Sequence, residues 1–313
     1  MTRNRTVISA THENVSTRPI PPVGLPVPRW ADGMREHRFR PPPEHGRRAL
    51  NVSALCVDRH LGECPDHVAV LAHGVSGEEA VCFRELHERV CRLANALTDQ
   101  GVQRGDRVAI HLPLMVESIV AVLACARIGA VHVLLGIHAD APRMAGQLAD
   151  CGAVAVLTGD ATCDGAGQRP LKAMLDRALE MAGTRSRVKL VLLVTLSSAE
   201  VAMKPGRDHH YDAVVDWYEP DYPPEAMYGD DPQFLSYPPA RRGGAHGVTH
   251  TVGEYRHMVS HAMEMAHPYT DVDVPPTLVN MAWDAGQTPL LVGLLAQGRT
   301  ITTTAEVPMN VRI

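Results

Sequence analysis

The sequence predicts an α/β protein built on a doubly wound, mostly parallel sheet flanked by helices, and three observations carry that expectation. From Arg107 onward, short β-branched apolar runs alternate with helical segments of roughly ten to fifteen residues, the length a parallel crossover needs to traverse a sheet. Several runs are apolar throughout, as strands covered on both faces must be. The chain has 313 residues, 45% of them apolar, enough for one large core or two moderate domains.

Taken in order, "NVSALCVDRHL" begins with Asn51 as an N-cap and carries Val52, Leu55, Cys56 and Leu61 at helical spacing. "HVAVLA" (67–72) reads as a strand. "FRELHERVCRLANALTDQG" places Leu86, Val90, Leu93, Ala94 and Leu97 on one helical face and stops at Gly101. Then follow strand "RVAIHL", helix "VESIVAVLACARIG", strand "AVHVLL", helix "APRMAGQLADCG", strand "VAVLTG", helix "PLKAMLDRALEMAG" and strand "VKLVLLVT". Between Leu196 and Asp231 the pattern lapses into an irregular excursion. Strand "QFLSY", a helix from about Val252 to Ala266, strand "TLVNM", a helix from about Pro289 to Ala296 and strand "RTITTT" complete the reading. No internal repeat is visible.

Net charge is −5, which argues against a general nucleic-acid binder. The charge is uneven: residues 1–48 hold nine arginines against Glu13, Asp32, Glu36 and Glu44, so this stretch is +5 and the remainder −10. The same stretch is dense in proline, which blocks helix and ladder hydrogen bonding, and it is expected to be an extended, disordered tail. No run approaches the roughly 18 apolar residues of a membrane span and the start lacks an apolar leader block, so the expected location is the cytoplasm. The seven cysteines are odd in number, scattered and without CxxC spacing, and read as reduced core residues rather than a disulfide or metal framework. His257 and His261, one helical turn apart with Glu254 a turn earlier, could share a ligand-bearing face, but HExxH is absent and no spacing fixes a third ligand. GxSxG, Walker-type and GxGxxG fingerprints are also absent.

The most informative stretch is "FLSYPPARRGGAHGVTHT" (234–251). A strand, a glycine-rich turn and a helix are the usual cradle for a phosphate, because turn and helix N–H groups converge on one anion. Here the turn opens with Pro238 and Pro239, which have no N–H, and lacks Ser, Thr and Lys through His246. It reads either as a solvated surface turn or as a residual anion contact through Arg241, Arg242, Gly243, Gly244, His246 and Gly247.

The blocks "LNVSALCVDRHL", "FRELHERVCRLANAL", "GVQRGDRVAIHLPL", "ESIVAVLACARIGAVH", "PLKAMLDRAL", "VAMKPGRD" and "DPQFLSYPPARRGGAHGVTHT" resemble, in this order, the N-terminal half of AMP-forming acetyl-CoA synthetases of the acyl-adenylate-forming superfamily. The resemblance covers about Leu50 to Pro308, so residues 49–313 are expected to form a partial adenylation domain. It implies ATP and Mg2+ as cofactors, CoA as acyl acceptor, and conversion of a carboxylate to acyl-CoA with release of AMP and pyrophosphate.

The departures are specific. The family's Thr/Ser/Gly-rich loop ending Lys-Pro-Lys-Gly has hydroxyl positions that are here Pro238, Pro239, Arg241 and Arg242, and lysine positions that are Gly244 and His246. At the family's CoA turn only Gly136 survives, beside Ile137. Two positions where the family carries arginines for the CoA phosphate are Asp164 and Gly167. The acyl-pocket segment keeps Trp283 and Gly286 but has Asp284 and Ala285 between them. The family's later adenine and ribose motifs, hinge and C-terminal domain lie beyond the resemblance. The resulting expectation is a truncated, catalytically incompetent relative with no catalytic residue and no metal site. The alternatives are a regulatory or binding module, its exposed sheet edges covered by a protein partner such as an intact synthetase, or a half-enzyme completed by a separate chain.

Overall fold

The structure is a computed structural model, and it describes residues 50–74, 77–164, 167–197, 199–238, 245–266 and 274–304. The basic, proline-rich stretch 1–48, expected to be disordered, lies outside the described residues.

The chain enters through α1 (Val52–Cys56), capped by Asn51, whose side chain accepts from the N–H groups of Ser53 and Ala54. The backbone breaks at Val57 and continues as a short 3-10 turn, so the expected longer helix is split. Next come β1 (Val68–Gly74), β2 (Gly77–Cys82), α2 (Phe83–Asp99), β3 (Arg107–His111), α3 (Val116–Arg127), β4 (Val131–Leu134), α4 (Ala141–Cys151), β5 (Ala155–Gly159), the hairpin β6 (Thr162–Asp164) and β7 (Gly167–Arg169), α5 (Leu171–Ala182) and β8 (Leu190–Val194). Then follow β9 (Asp208–His210), α6 (Tyr211–Val215), β10 (Pro232–Ser236), β11 (Val248–Thr251), α7 (Val252–Met265), α8 (Pro276–Asp284), α9 (Pro289–Ala296) and β12 (Ile301–Thr304).

Seven strands form the main sheet in the order β11-β10-β4-β3-β5-β8-β9, all pairings parallel except β10 with β11. Strand side chains alternate between two apolar layers. Ala109, Val131, Val133, Val156, Val191 and Leu235 pack under α4 and α5. Val108, Ile110, Leu134, Leu157, Leu192 and Phe234 face the larger layer that includes residues of α2, α3, α7, α8 and α9. Burial on both faces is why these strands read as unbroken apolar runs. A second sheet has the order β12-β1-β2, with β1 parallel to β12 and antiparallel to β2.

Two expectations need correction. "TLVNM" is not a strand but the middle of α8: Pro276 occupies the first turn, Val279 and Trp283 are buried at i,i+4, and Met281 is exposed. A short apolar run does not distinguish strand from helix without that wider period. The supposed irregular excursion contains β9 and α6. "RTITTT" forms the expected strand, which lies in the second sheet beside β1.

Candidate functional site

The carboxyl ends of parallel strands in an open α/β sheet are where such folds place ligands, and most of the sequence-predicted positions fall there. Gly136 follows β4, the glycine-rich turn follows β10, and Trp283 donates its indole N–H to the carbonyl of Leu112, just past β3, at 3.0 Å.

The two shoulders of the turn between β10 and β11 meet at one carboxylate. The hydroxyl of Tyr237 lies 2.9 Å from Asp150 Oδ2 and 2.9 Å from the Gln147 carbonyl, and the Gly247 N–H donates to the same Asp150 oxygen at 2.9 Å. Burial, together with Cys151 and Asp150, pushes the Tyr237 hydroxyl well above its ordinary pKa, so it remains a donor. A Cβ at Gly247 would lie 2.5 Å from Leu235 Cδ2, so any larger residue there has to push the Leu235 side chain aside. His246 is exposed beside it. Arg241, Arg242, Gly243 and Gly244 lie outside the described residues. Asp150 was missed by sequence reasoning: a lone acid in the last turn of α4 carries no local signal, and its partners are far along the chain.

Behind the turn stands a column of rings. His250 stacks on Phe234 (centroids 4.7 Å apart), and Phe234 stacks on His132 (5.3 Å), so the column crosses β11, β10 and β4. His250 Nε2 lies 2.9 Å from Ser236 Oγ, and His132 Nε2 lies 3.1 Å from Thr288 Oγ1, which also pairs with the Tyr255 hydroxyl at 2.7 Å. Burial lowers the His132 pKa to about 3 and also lowers that of His250. Both imidazoles are therefore uncharged near neutral pH, and the column offers an anion no positive charge.

The acyl-pocket positions divide. Trp283 is buried, whereas Asp284 and Ala285 are exposed at the end of α8. Although solvent reaches Asp284, crowding by neighbouring groups raises its carboxyl pKa, with His138 opposing the shift. Gly286 has φ +74° and donates its N–H to the Trp283 carbonyl at 2.8 Å, which explains the glycine as a helix terminator. Gly136 is exposed, and an added Cβ there would meet nothing within 4 Å. Asp164 and Gly167 are cross-strand partners in the small hairpin.

At the ends of β5 and β8 the structure holds charges that the sequence did not reveal. The Asp160 carboxylate accepts from the N–H groups of Ala161, Leu196, Ser197 and Ala199 and from the Ser197 hydroxyl. Burial opposes its ionisation, but these donors win and hold its pKa below the usual range. Lys172, only 1% exposed, places Nζ 2.6 Å from Asp176, 2.9 Å from Asp208 and 2.9 Å from the Ala202 carbonyl. Arg207 pairs with Asp208 and with Asp176, and the Asp208 pKa falls to about 2 because these partners outweigh burial. A cavity of about 330 Å³ opens between Asp160, Gln168, Lys172, Asp176 and Glu200. Its lysine is already committed to protein partners.

Elsewhere, buried Arg127 grips Asp58 with two bonds of 2.8 and 2.9 Å, and His87 Nε2 lies 3.7 Å from the same carboxylate. Among the described residues no group of three or more His, Cys, Asp or Glu side chains could hold a metal ion. His261, from the histidine pair on α7, lies 3.7 Å from Glu264. Among the same residues no helix is long and apolar enough to cross a membrane.

Comparison with known proteins joins this geometry to a family. Residues 57–311 match the family described as AMP-binding enzyme. The chain is 38% identical over 261 residues to an acetyl-coenzyme A synthetase of Brucella anthropi, covering 82% of this chain and 40% of that protein. It is 35% identical over 267 residues to one from Syntrophobacter fumaroxidans, covering 85% and 40% respectively. A protein of Nostoc linckia with the same description is 36% identical over 261 residues, covering 83% of this chain and 77% of its own length. The chain thus spans about 40% of the length of the first two relatives. With the doubly wound sheet, the turn after β10 and this match over most of its length, the chain belongs to the AMP-binding enzyme family.

Proposed function

We propose that this chain is an acetyl-CoA-synthetase-like adenylation segment that does not activate a carboxylate by itself, because the two shoulders of its phosphate-binding turn are bound to its own protein. The family reaction needs the turn to present N–H, hydroxyl and ammonium donors to ATP. The carrying observation is that the Gly247 N–H and the Tyr237 hydroxyl are both turned toward the Asp150 carboxylate. An anion approaching these shoulders meets a negative charge in place of free donors. Pro238 has no N–H to add, and no hydroxyl or lysine stands between Pro238 and His246. Loss of a single preorganised donor costs on the order of 10² to 10³ in rate, and although several such losses need not add, they do not cancel. The residues present therefore do not fit ATP and Mg2+, and no chemical step is assigned to them.

ATP–pyrophosphate exchange with acetate, propionate and longer acids tests this reading. No exchange above a vector control is expected. Exchange that depends on added carboxylate would overturn it.

A second reading, a binding module for another protein, draws support from β12, which among the described residues is paired only with β1 and sits at the edge of its sheet. An open edge accepts a further strand. Co-purification with an intact synthetase, lost when Thr302 is replaced by proline, would support this reading; a chain that elutes alone at every concentration would remove it.

A further inference from the structure

We propose that a cavity at the amino-terminal ends of the parallel strands, opposite the turn after β10, binds a small phosphate monoester through Arg187, Lys189 and His209. The cavity holds about 310 Å³ and its polar wall also includes Gln100, Gln103 and Asp106. Lys189 immediately precedes β8 and Val154 precedes β5, so the cavity opens at the end of the sheet away from the family's reaction face. The inference does not depend on how the turn after β10 is read.

Charge carries the argument. The protein has a net charge of −5, and six of its described cations, Arg84, Arg89, Arg104, Arg127, Lys172 and Arg207, meet carboxylates. Arg187 and Lys189 meet none among the described residues, yet both line one cavity. Arg107 adds to the same field. Its guanidinium bonds only to the carbonyls of Cys151 (2.7 Å) and Gly105 (3.2 Å), so its charge is left unneutralised by any described carboxylate. A Cβ placed on Gly152 would lie 3.1 Å from Arg107 Nη2 and 3.4 Å from Arg187 Cδ, so the two arginines converge across the end of α4. The one acid, Asp106, accepts the Gln103 N–H at 2.9 Å and is engaged in its own turn.

The end of α2 also faces this region, and helix carboxyl ends repel anions. Here its last carbonyls are taken by the N–H groups of Gln100, Gly101 and Val102, which blunts that effect. Positive potential therefore dominates, and local concentration of anions follows. Size and chemistry narrow the class. About 300 Å³ is the lower end of the range for small-molecule sites, too small for a dinucleotide. The Gln103 amide, which lines the same cavity as the cations, suits the hydroxyls of a polyol phosphate better than an apolar acid.

The test is an amide-resolved NMR titration of the whole chain with glycerol phosphate and with inorganic phosphate, at ionic strength held constant with sodium chloride. Saturable shifts at Gln100 to Gln103, Gly206 and His209 are expected with glycerol phosphate. The double variant Arg187→Gln/Lys189→Gln should weaken binding at least about tenfold, while the exposed control Arg185→Gln should leave it unchanged. Because all three side chains are exposed, circular dichroism should show the variants folded; if the double variant is not, Lys189→Glu alone serves. Absence of saturable shifts in the wild type, or equal binding by wild type and the charge-removed variant, would overturn the proposal. So would equal weakening in the Arg185 control.

Discussion

Replacing Asp160 by asparagine should destabilise the protein by about 3 kcal/mol near neutral pH. In the structure, Oδ1 accepts from Ala161 (2.7 Å), Leu196 (2.8 Å) and Ser197 (3.1 Å), while Oδ2 accepts from Ala199 (3.0 Å), Ser197 N (3.1 Å) and Ser197 Oγ (3.2 Å). Asparagine keeps one acceptor oxygen and turns an NH2 toward the other set of donors. Hydrogen bonds to a charged acceptor contribute about 1.5–3 kcal/mol each, neutral ones about 1, and an orphaned buried N–H costs about 1–3 kcal/mol. Weakening the retained bonds and orphaning the Ala199 N–H gives the stated figure. The pH dependence has a defined sign: the folded carboxyl pKa is depressed, so the stabilisation is present above the unfolded value of about 3.9 and is lost as pH falls through the folded one. Urea unfolding of both proteins between pH 8 and pH 3.5 measures this. The gap should be constant above about pH 5 and narrow below about pH 4. A gap under about 0.5 kcal/mol at pH 7 would refute the account of the nest.

The His87 pKa is raised to about 9 by Asp58 and Cys91, against the opposing effects of burial and Arg127. Its contribution is complete below the unfolded value of about 6.5 and lost as pH rises through about 9; allowing for solvent screening, His87→Gln should remove about 1 kcal/mol of that slope, read by urea unfolding at pH 6.5 and 9.5. Arg127→Ala should cost about 3–5 kcal/mol at pH 7 because it leaves half-buried Asp58 without its bidentate partner. In thermal melts, Gly247→Ala should cost about 1–3 kcal/mol, since the new Cβ must displace the Leu235 side chain. Trp283→Phe should cost about 1 kcal/mol by removing the bond to the Leu112 carbonyl, with indole-free near-ultraviolet difference spectra confirming the site.

Local signals gave the long elements and failed at contacts set by distant chain. The α2 face of Leu86, Val90, Leu93 and Leu97 is wholly buried, as its period required. The doubly wound order followed from alternation alone. By contrast β2, with its exposed Glu78 and Glu79, and β11, with its exposed Val248 and Thr249, owe their strand form to pairing rather than to apolar pattern. The turn after β10 was recognisable from its prolines and glycines, but its closure onto Asp150 was not, because 97 residues separate Asp150 from Gly247. Nor could composition reveal the Asp160 nest, whose donors arrive from a loop 36 to 39 residues further on.

The Asp150 latch also bears on how readily the change could be reversed. Restoring threonine, serine and lysine along the turn would supply side-chain donors but leave the Gly247 amide bound to the carboxylate; removing Asp150 first would free that amide with nothing beside it to help grip phosphate. Each step alone gains nothing, so on the proposed reading the latch works as an evolutionary ratchet, and regaining ancestral chemistry requires coordinated change at two places far apart in the gene.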